Sequence, residues 1–153
     1  MSNQNKLVNG LVWAFSLILT ATAGLAQAEQ LRENDEYIVY YSALNSIIIQ
    51  PDIAKAYGLQ RSRQRGLLNI SVQRKMPDGS NKPVMSQLKG YASHLSGSEI
   101  PLEFNLVTEG KAIYYLAQFP IRNGDELRFD IVAKPTPDAD PIKIRFSQDF
   151  YTE

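Results

Sequence analysis

Leu68-Asn69-Ile70-Ser71-Val72-Gln73 alternates apolar and polar residues at every step. Successive side chains of a strand point to opposite faces, so this run reads as a strand with one face in a core and one outside. Just downstream, Met76-Pro77-Asp78-Gly79-Ser80 is a turn: Pro fixes φ and Gly accepts a positive one. Val84 to Tyr91 then reads as the return strand. The pattern continues along the chain. Ile100, Leu102, Phe104 and Leu106 form one inward row, and Glu109-Gly110 turns the chain. Ala112 to Phe119 is apolar on both faces and reads as a central strand covered on each side. Asn123-Gly124 is a strong hairpin signal. Leu127, Phe129, Ile131 and Ala133 form the next inward row. Pro135 to Pro141 is a loop, and Ile142, Ile144, Phe146 and Phe150 close the domain, with Gln148 interrupting the row.

Upstream of Leu68, Tyr37 to Tyr41 reads as a strand and Ile47-Ile48-Ile49 as a short second one. A brief helix follows. Pro51 suits a first helical position, Asp52 complements the helix dipole, and Gly58 supplies a left-handed stop. Ile53 and Tyr57 share one helix face, directed to the core. Glu29 to Asp35 is a polar lead-in. Many short strands joined by turns predict a mainly β, antiparallel two-sheet sandwich, immunoglobulin-like, with one short helix. The alternative is a small up-and-down β-barrel.

The N-terminus carries a different signal. Lys6 is followed by the apolar run Leu11 to Leu19, then by small residues ending in Ala26-Gln27-Ala28. This is the pattern of a signal peptide over residues 1–28, cleaved after Ala28. It competes with an uncleaved anchor, since no charge falls between Leu7 and Ala28. Cleavage leaves residues 29–153 as one β domain, with no stable membrane span. Export with no cysteine suits a bacterial periplasm better than a route where small domains carry disulfides.

Charge is balanced, with 16 Lys+Arg against 16 Asp+Glu, so nothing attracts nucleic acid. With no Cys and only His94, no ordinary transition-metal site can be assembled, and the sequence calls for no cofactor. No nucleophile elbow, phosphate-binding glycine loop or selected carboxylate pair is present, and no catalytic residue stands out. His94, between Ser93 and Ser96, is the one place for a hydrolytic triad, and is more simply a loop histidine.

Two features remain. Arg61, Arg63 and Arg65 alternate, and on an extended backbone their guanidinium groups would share a face fit for carboxylates or phosphates. The plainer role of such a row is a solvated sheet edge. On the binding reading, replacing all three by Gln leaves the thermal midpoint nearly unmoved and weakens partner capture. Tyr57 lies just before them. It is one of eight tyrosines, most of which suit core or rim packing.

Several blocks together carry a resemblance. They are Ala56-Tyr57-Gly58-Leu59-Gln60-Arg61-Ser62, Gly66 to Val72, Ile113 to Pro120, and the closing Phe150-Tyr151. The chain resembles a family of small exported bacterial proteins with a domain of unknown function, DUF4426, over its whole mature length. The resemblance implies export and a single domain, and assigns no activity or functional residue. The expected function is a non-enzymatic periplasmic module that binds a protein, peptide or anionic envelope component. Arg61, Arg63, Arg65 and Tyr57 are the candidate binding residues. The alternatives are a small periplasmic hydrolase and a structural accessory of an envelope complex.

Overall fold

In chain order the elements are β1 (Gln30–Glu33), β2 (Tyr37–Asn45), a 3-10 turn (Ser46–Ile48), α1 (Pro51–Ala56), β3 (Arg65–Lys75), β4 (Asn81–Pro83), β5 (Gln87–His94), β6 (Glu99–Pro101), β7 (Asn105–Glu109), β8 (Ala112–Pro120), β9 (Asp125–Lys134) and β10 (Ile142–Phe150). The structure is a computed structural model that describes residues 30–153, and the segment 1–28, read above as a signal peptide, lies outside the described residues.

The strands form two antiparallel sheets. Sheet A has six strands in the order β1-β2-β3-β8-β7, with β4 paired to β3 off that path. Sheet B has four, in the order β10-β9-β5-β6. Each sheet ends on free edges, so the molecule is a sandwich and does not close into a barrel. Among the described residues no helix is long and apolar enough to cross a membrane.

The inward rows meet as expected. Val39, Leu68, Ile70, Val72, Tyr115, Ala117 and Phe119 from sheet A pack against Leu127, Phe129, Ile131, Ala133, Ile144 and Phe150 from sheet B. Phe129 lies among the aromatic rings. It stacks on Phe146 with centroids 4.6 Å apart and meets Phe119 edge-on at 5.3 Å. A second, smaller core lies on the outer face of sheet A. There Ile49, Ile53 and Ala54 cover Leu67 and Leu116, with Tyr57, Leu59, Val107 and Tyr114 packed around them. The strand β8 is therefore covered on both faces, and α1 is the outer cover. Gly58, at φ 64, ends that cover in the left-handed region.

Five local expectations are corrected. The polar lead-in contains β1, an edge strand whose side chains are all exposed and so leave no apolar period. Ile47–Ile49 is not a strand. Asn45 Oδ1 accepts from the Ile47 amide, and the buried Ser46 hydroxyl donates to Ser62 O, which winds the segment into the 3-10 turn. The return strand after the Met76–Ser80 turn is only β4. Pro83 has no N–H to extend the ladder, and the chain leaves for sheet B through Val84–Ser86. The row from Ile100 to Leu106 is split between β6 in sheet B and β7 in sheet A, with Leu102 N bonded to Gly90 O at the crossing. Finally, Asn123-Gly124 makes a tight turn but no hairpin, because β8 and β9 belong to different sheets.

Candidate functional site

The 61–65 segment is not extended. Arg63 and Gln64 form a turn, and Arg65 opens β3 opposite Pro120. Arg61 is already occupied: its Nε donates to Ile49 O at 2.6 Å and its Nη2 to Ile47 O at 2.9 Å. The guanidinium thus ties the β3 approach to the carbonyls at the end of the 3-10 turn. Tyr57 packs within the outer core. The alternating row seen in sequence does not become a row of free guanidiniums. Arg61→Gln is expected to lower stability by about 1–2 kcal/mol, because two carbonyls lose a charged donor. Arg61→Lys is expected to recover little, since an ammonium does not fork between two acceptors. Chemical denaturation of the three proteins checks both.

His94 has one acidic neighbour, Asp125, with Nδ1 and Oδ1 3.8 Å apart. Asp125 is itself engaged through Oδ2 by the Arg122 amide at 2.7 Å, within the Asn123-Gly124 turn. Among the described residues no serine hydroxyl is hydrogen-bonded to the imidazole, and no group of three His, Asp or Glu side chains could hold a metal. Glu109 closes β7 opposite Ala112. Burial on the outer face of sheet A raises its pKa above the ordinary value, and its Oε1 is buried without a partner. The folded state therefore holds this proton more tightly than the unfolded chain does. That contribution is present below the unfolded pKa and is lost as pH rises through the folded one. Glu109→Gln is expected to raise the thermal midpoint slightly near pH 7, at about the level of one surface contact, and to leave it unchanged near pH 3. Melting curves at the two pH values check this.

One concavity lies where the link after β4, the β7–β8 pair and the end of β9 come together. It is a crevice of about 320 Å³ lined by Met85, Ser86, Gln87, Leu106, Tyr115, Lys134, Pro135, Thr136 and Pro137. Four separate segments build it. Met85 and Ser86 sit on the link that Pro83 forces out of sheet A. The Ser86 amide donates to the Tyr115 hydroxyl at 2.7 Å, which pins this link to β8. Leu106 is paired with Tyr115 across β7 and β8. Lys134 ends β9 opposite Gln87, and Pro135 and Pro137 stiffen the loop that follows.

The crevice has an apolar mouth. Met85 and Leu106 are 58% and 45% exposed, although the alternating pattern directs Leu106 inward. Large apolar side chains that flank a concavity and stay in water are typical of recognition surfaces. Two polar groups lie in its wall, one beneath the surface and one free to meet a ligand. Ser86 Oγ is buried with no hydrogen-bond partner, and Lys134 belongs to none of the ion pairs among the described residues. Nothing in the sequence pointed to this site. Its residues are spread from Met85 to Pro137, and only the fold brings them together.

Comparison with known proteins adds to this. A crystal structure of a DUF4426 family protein from Pseudomonas aeruginosa PAO1 is similar, with a TM-score of 0.70 and 35% sequence identity. The similarity covers 83% of this chain and 98% of that one. Comparison with curated proteins gives no match. The model of the family described as Domain of unknown function (DUF4426) matches residues 31–153, which span both sheets, the outer helix and the crevice, and the chain belongs to the DUF4426 family.

Proposed function

We propose that this protein is a non-enzymatic binding module of the bacterial periplasm, exported by the segment ending at Ala28, and that it takes a peptide segment of an envelope protein at the end crevice. The observation that carries the reading is the exposed pair Met85 and Leu106 at the mouth of a proline-walled concavity, beside an unpaired Lys134. An apolar side chain entering there would remove both from water, worth roughly 25 cal/mol per Å² of apolar surface covered. An adjacent acidic residue would meet Lys134. The class of ligand is thus a short segment with a large apolar residue next to Asp or Glu.

Selection from a random peptide library on the mature domain tests this. Enriched peptides should pair an apolar anchor with an acidic neighbour and lose binding at least tenfold on Leu106→Asp. On Lys134→Glu, selection should turn to basic neighbours. Peptides that bind both variants as tightly as the wild type would place recognition elsewhere and sink the proposal.

A further inference from the structure

The outer face of sheet B carries a second concavity, about 440 Å³, that shares no residue with the end crevice. Its floor is set by the sheet register. In one row Arg145, Asp130 and Tyr91 lie side by side across β10, β9 and β5. In the next, Ser147, Arg128 and Ser93 do the same. Directly opposed side chains on one face stand roughly 5 Å apart, so these six groups converge on one small area. A third row adds Lys143 and Lys89 on either side of Val132.

The charges in this area are unevenly used. Asp130 Oδ2 accepts from Arg145 Nε at 2.7 Å, which orients that guanidinium and leaves its two terminal nitrogens without a protein acceptor. Arg128 belongs to none of the ion pairs among the described residues. An exposed pair such as Arg145–Asp130 contributes little to stability, about 0–1 kcal/mol. It does hold a planar, two-pronged donor in place beside a second one. Over the neighbouring rows Arg128, Arg145, Lys89 and Lys143 are matched by Asp130, Glu126, Asp149 and Glu99, but the two guanidiniums lie together in the central rows and the Glu126, Asp149 and Glu99 carboxylates stand at their margin. Tyr91 adds a half-buried ring, and Ser93 and Ser147 add hydroxyls on both sides of Arg128.

We infer that this face is a binding site for a saccharide bearing an oxyanion, either a phosphate or a carboxylate. The arginines take the oxyanion bidentately. The Tyr91 ring covers an apolar sugar face, and the serines and Asp130 meet sugar hydroxyls. The two adjacent guanidiniums supply the charge complementarity, and the hydroxyl–guanidinium–hydroxyl row supplies the preference for a sugar over a bare anion. This site is independent of the end crevice and of the peptide-binding reading.

The test is titration of the isotope-labelled mature domain, followed by amide and arginine side-chain NMR shifts. The probes are glucuronic acid and glucose 6-phosphate, with glucose and inorganic phosphate alone as controls. The expected result is saturable shifts at residues 91–93, 128–130 and 145–147 with both acidic sugars. Binding should be at least tenfold weaker for either control, and should be lost in an Arg128→Gln/Arg145→Gln variant whose remaining spectrum matches wild type. Equal response to phosphate alone would reduce the site to a non-specific anion patch, and equal response to glucose would remove the role of the arginines. No shifts on this face, or shifts unchanged in the double variant, would overturn the inference. Tyr91→Ala provides a second variant: unaltered affinity there would contradict the stacking role.

Discussion

Replacing Phe129 by alanine is expected to remove about 4 kcal/mol of stability. Phe129 is 2% exposed and sits where both sheets contribute rings. It is parallel to Phe146 at 8° and 4.6 Å, edge-on to Phe119 at 5.3 Å, and edge-on to Phe150 at 6.5 Å. Truncation removes the buried ring and leaves a cavity walled by three other rings on two sheets, so the site cannot collapse from one side. For a domain of this size the thermal midpoint should fall on the order of 15 °C. Phe129→Leu, which keeps most of the volume, should lose less than half as much. Paired thermal and denaturant melts decide between this and a core that repacks freely, in which Phe129→Ala would cost no more than an average substitution.

Gly90→Ala is the second. Gly90 lies in β5, opposite Ile131 of β9. A Cβ placed on it would stand 2.6 Å from Asp130 O and 2.9 Å from Ile131 Cα. These are backbone atoms of the neighbouring strand and cannot rotate away, so β5 and β9 must separate locally. Gly90 O also accepts from the Leu102 amide, and this bond fixes the crossing from β6 to β7. The expected loss is about 3 kcal/mol, unusual for a change of one methyl group. The amide of Leu102 should also exchange with solvent faster. An alanine variant as stable as wild type would mean that the sheet opens there at no cost. The comparison position is Gly79, where an added Cβ meets nothing within 4 Å and only the φ of 82 resists a side chain.

Most of the architecture was legible because alternation is a local signal. The rows at Leu68–Val72 and Leu127–Ala133 announce one buried face, and the doubly apolar run at Ala112–Phe119 announces two. The sheet assignment was not legible. An Asn-Gly turn has the same chemistry whether the chain pairs with itself or crosses to the other sheet, so Asn123-Gly124 gave a correct turn and a wrong pairing. Pro83 and Pro101 held the missing information, since each ends a ladder where the chain changes sheet. Edge strand β1 was invisible because its stabilisation comes from backbone pairing with β2, and its side chains face water.

The candidate sites followed the same division. Arginines at alternate positions looked like a face, but Arg61 found backbone carbonyls twelve and fourteen residues earlier in the chain. Such side-chain-to-backbone bonds depend on the turn at Ser46–Ile48, which its own sequence did not announce. The end crevice depends on contacts between β8, β7, the end of β9 and the link after β4. Leu106 reads as a core residue in sequence and becomes a surface residue only because β7 begins at the open mouth.

The central claim, that the end crevice is where this protein meets its partner, is tested most directly by site-specific photo-cross-linking in living cells. A cross-linking residue placed at Met85 or Leu106 should give one discrete adduct with an envelope protein, at far higher yield than the same residue at Asp78, an exposed turn position that does not line the crevice. Adding Lys134→Glu should reduce that adduct several-fold. Mapping the adduct should place an acidic residue beside the cross-linked apolar one. Equal yields at positions 85, 106 and 78, or an adduct indifferent to the charge at position 134, would contradict the account.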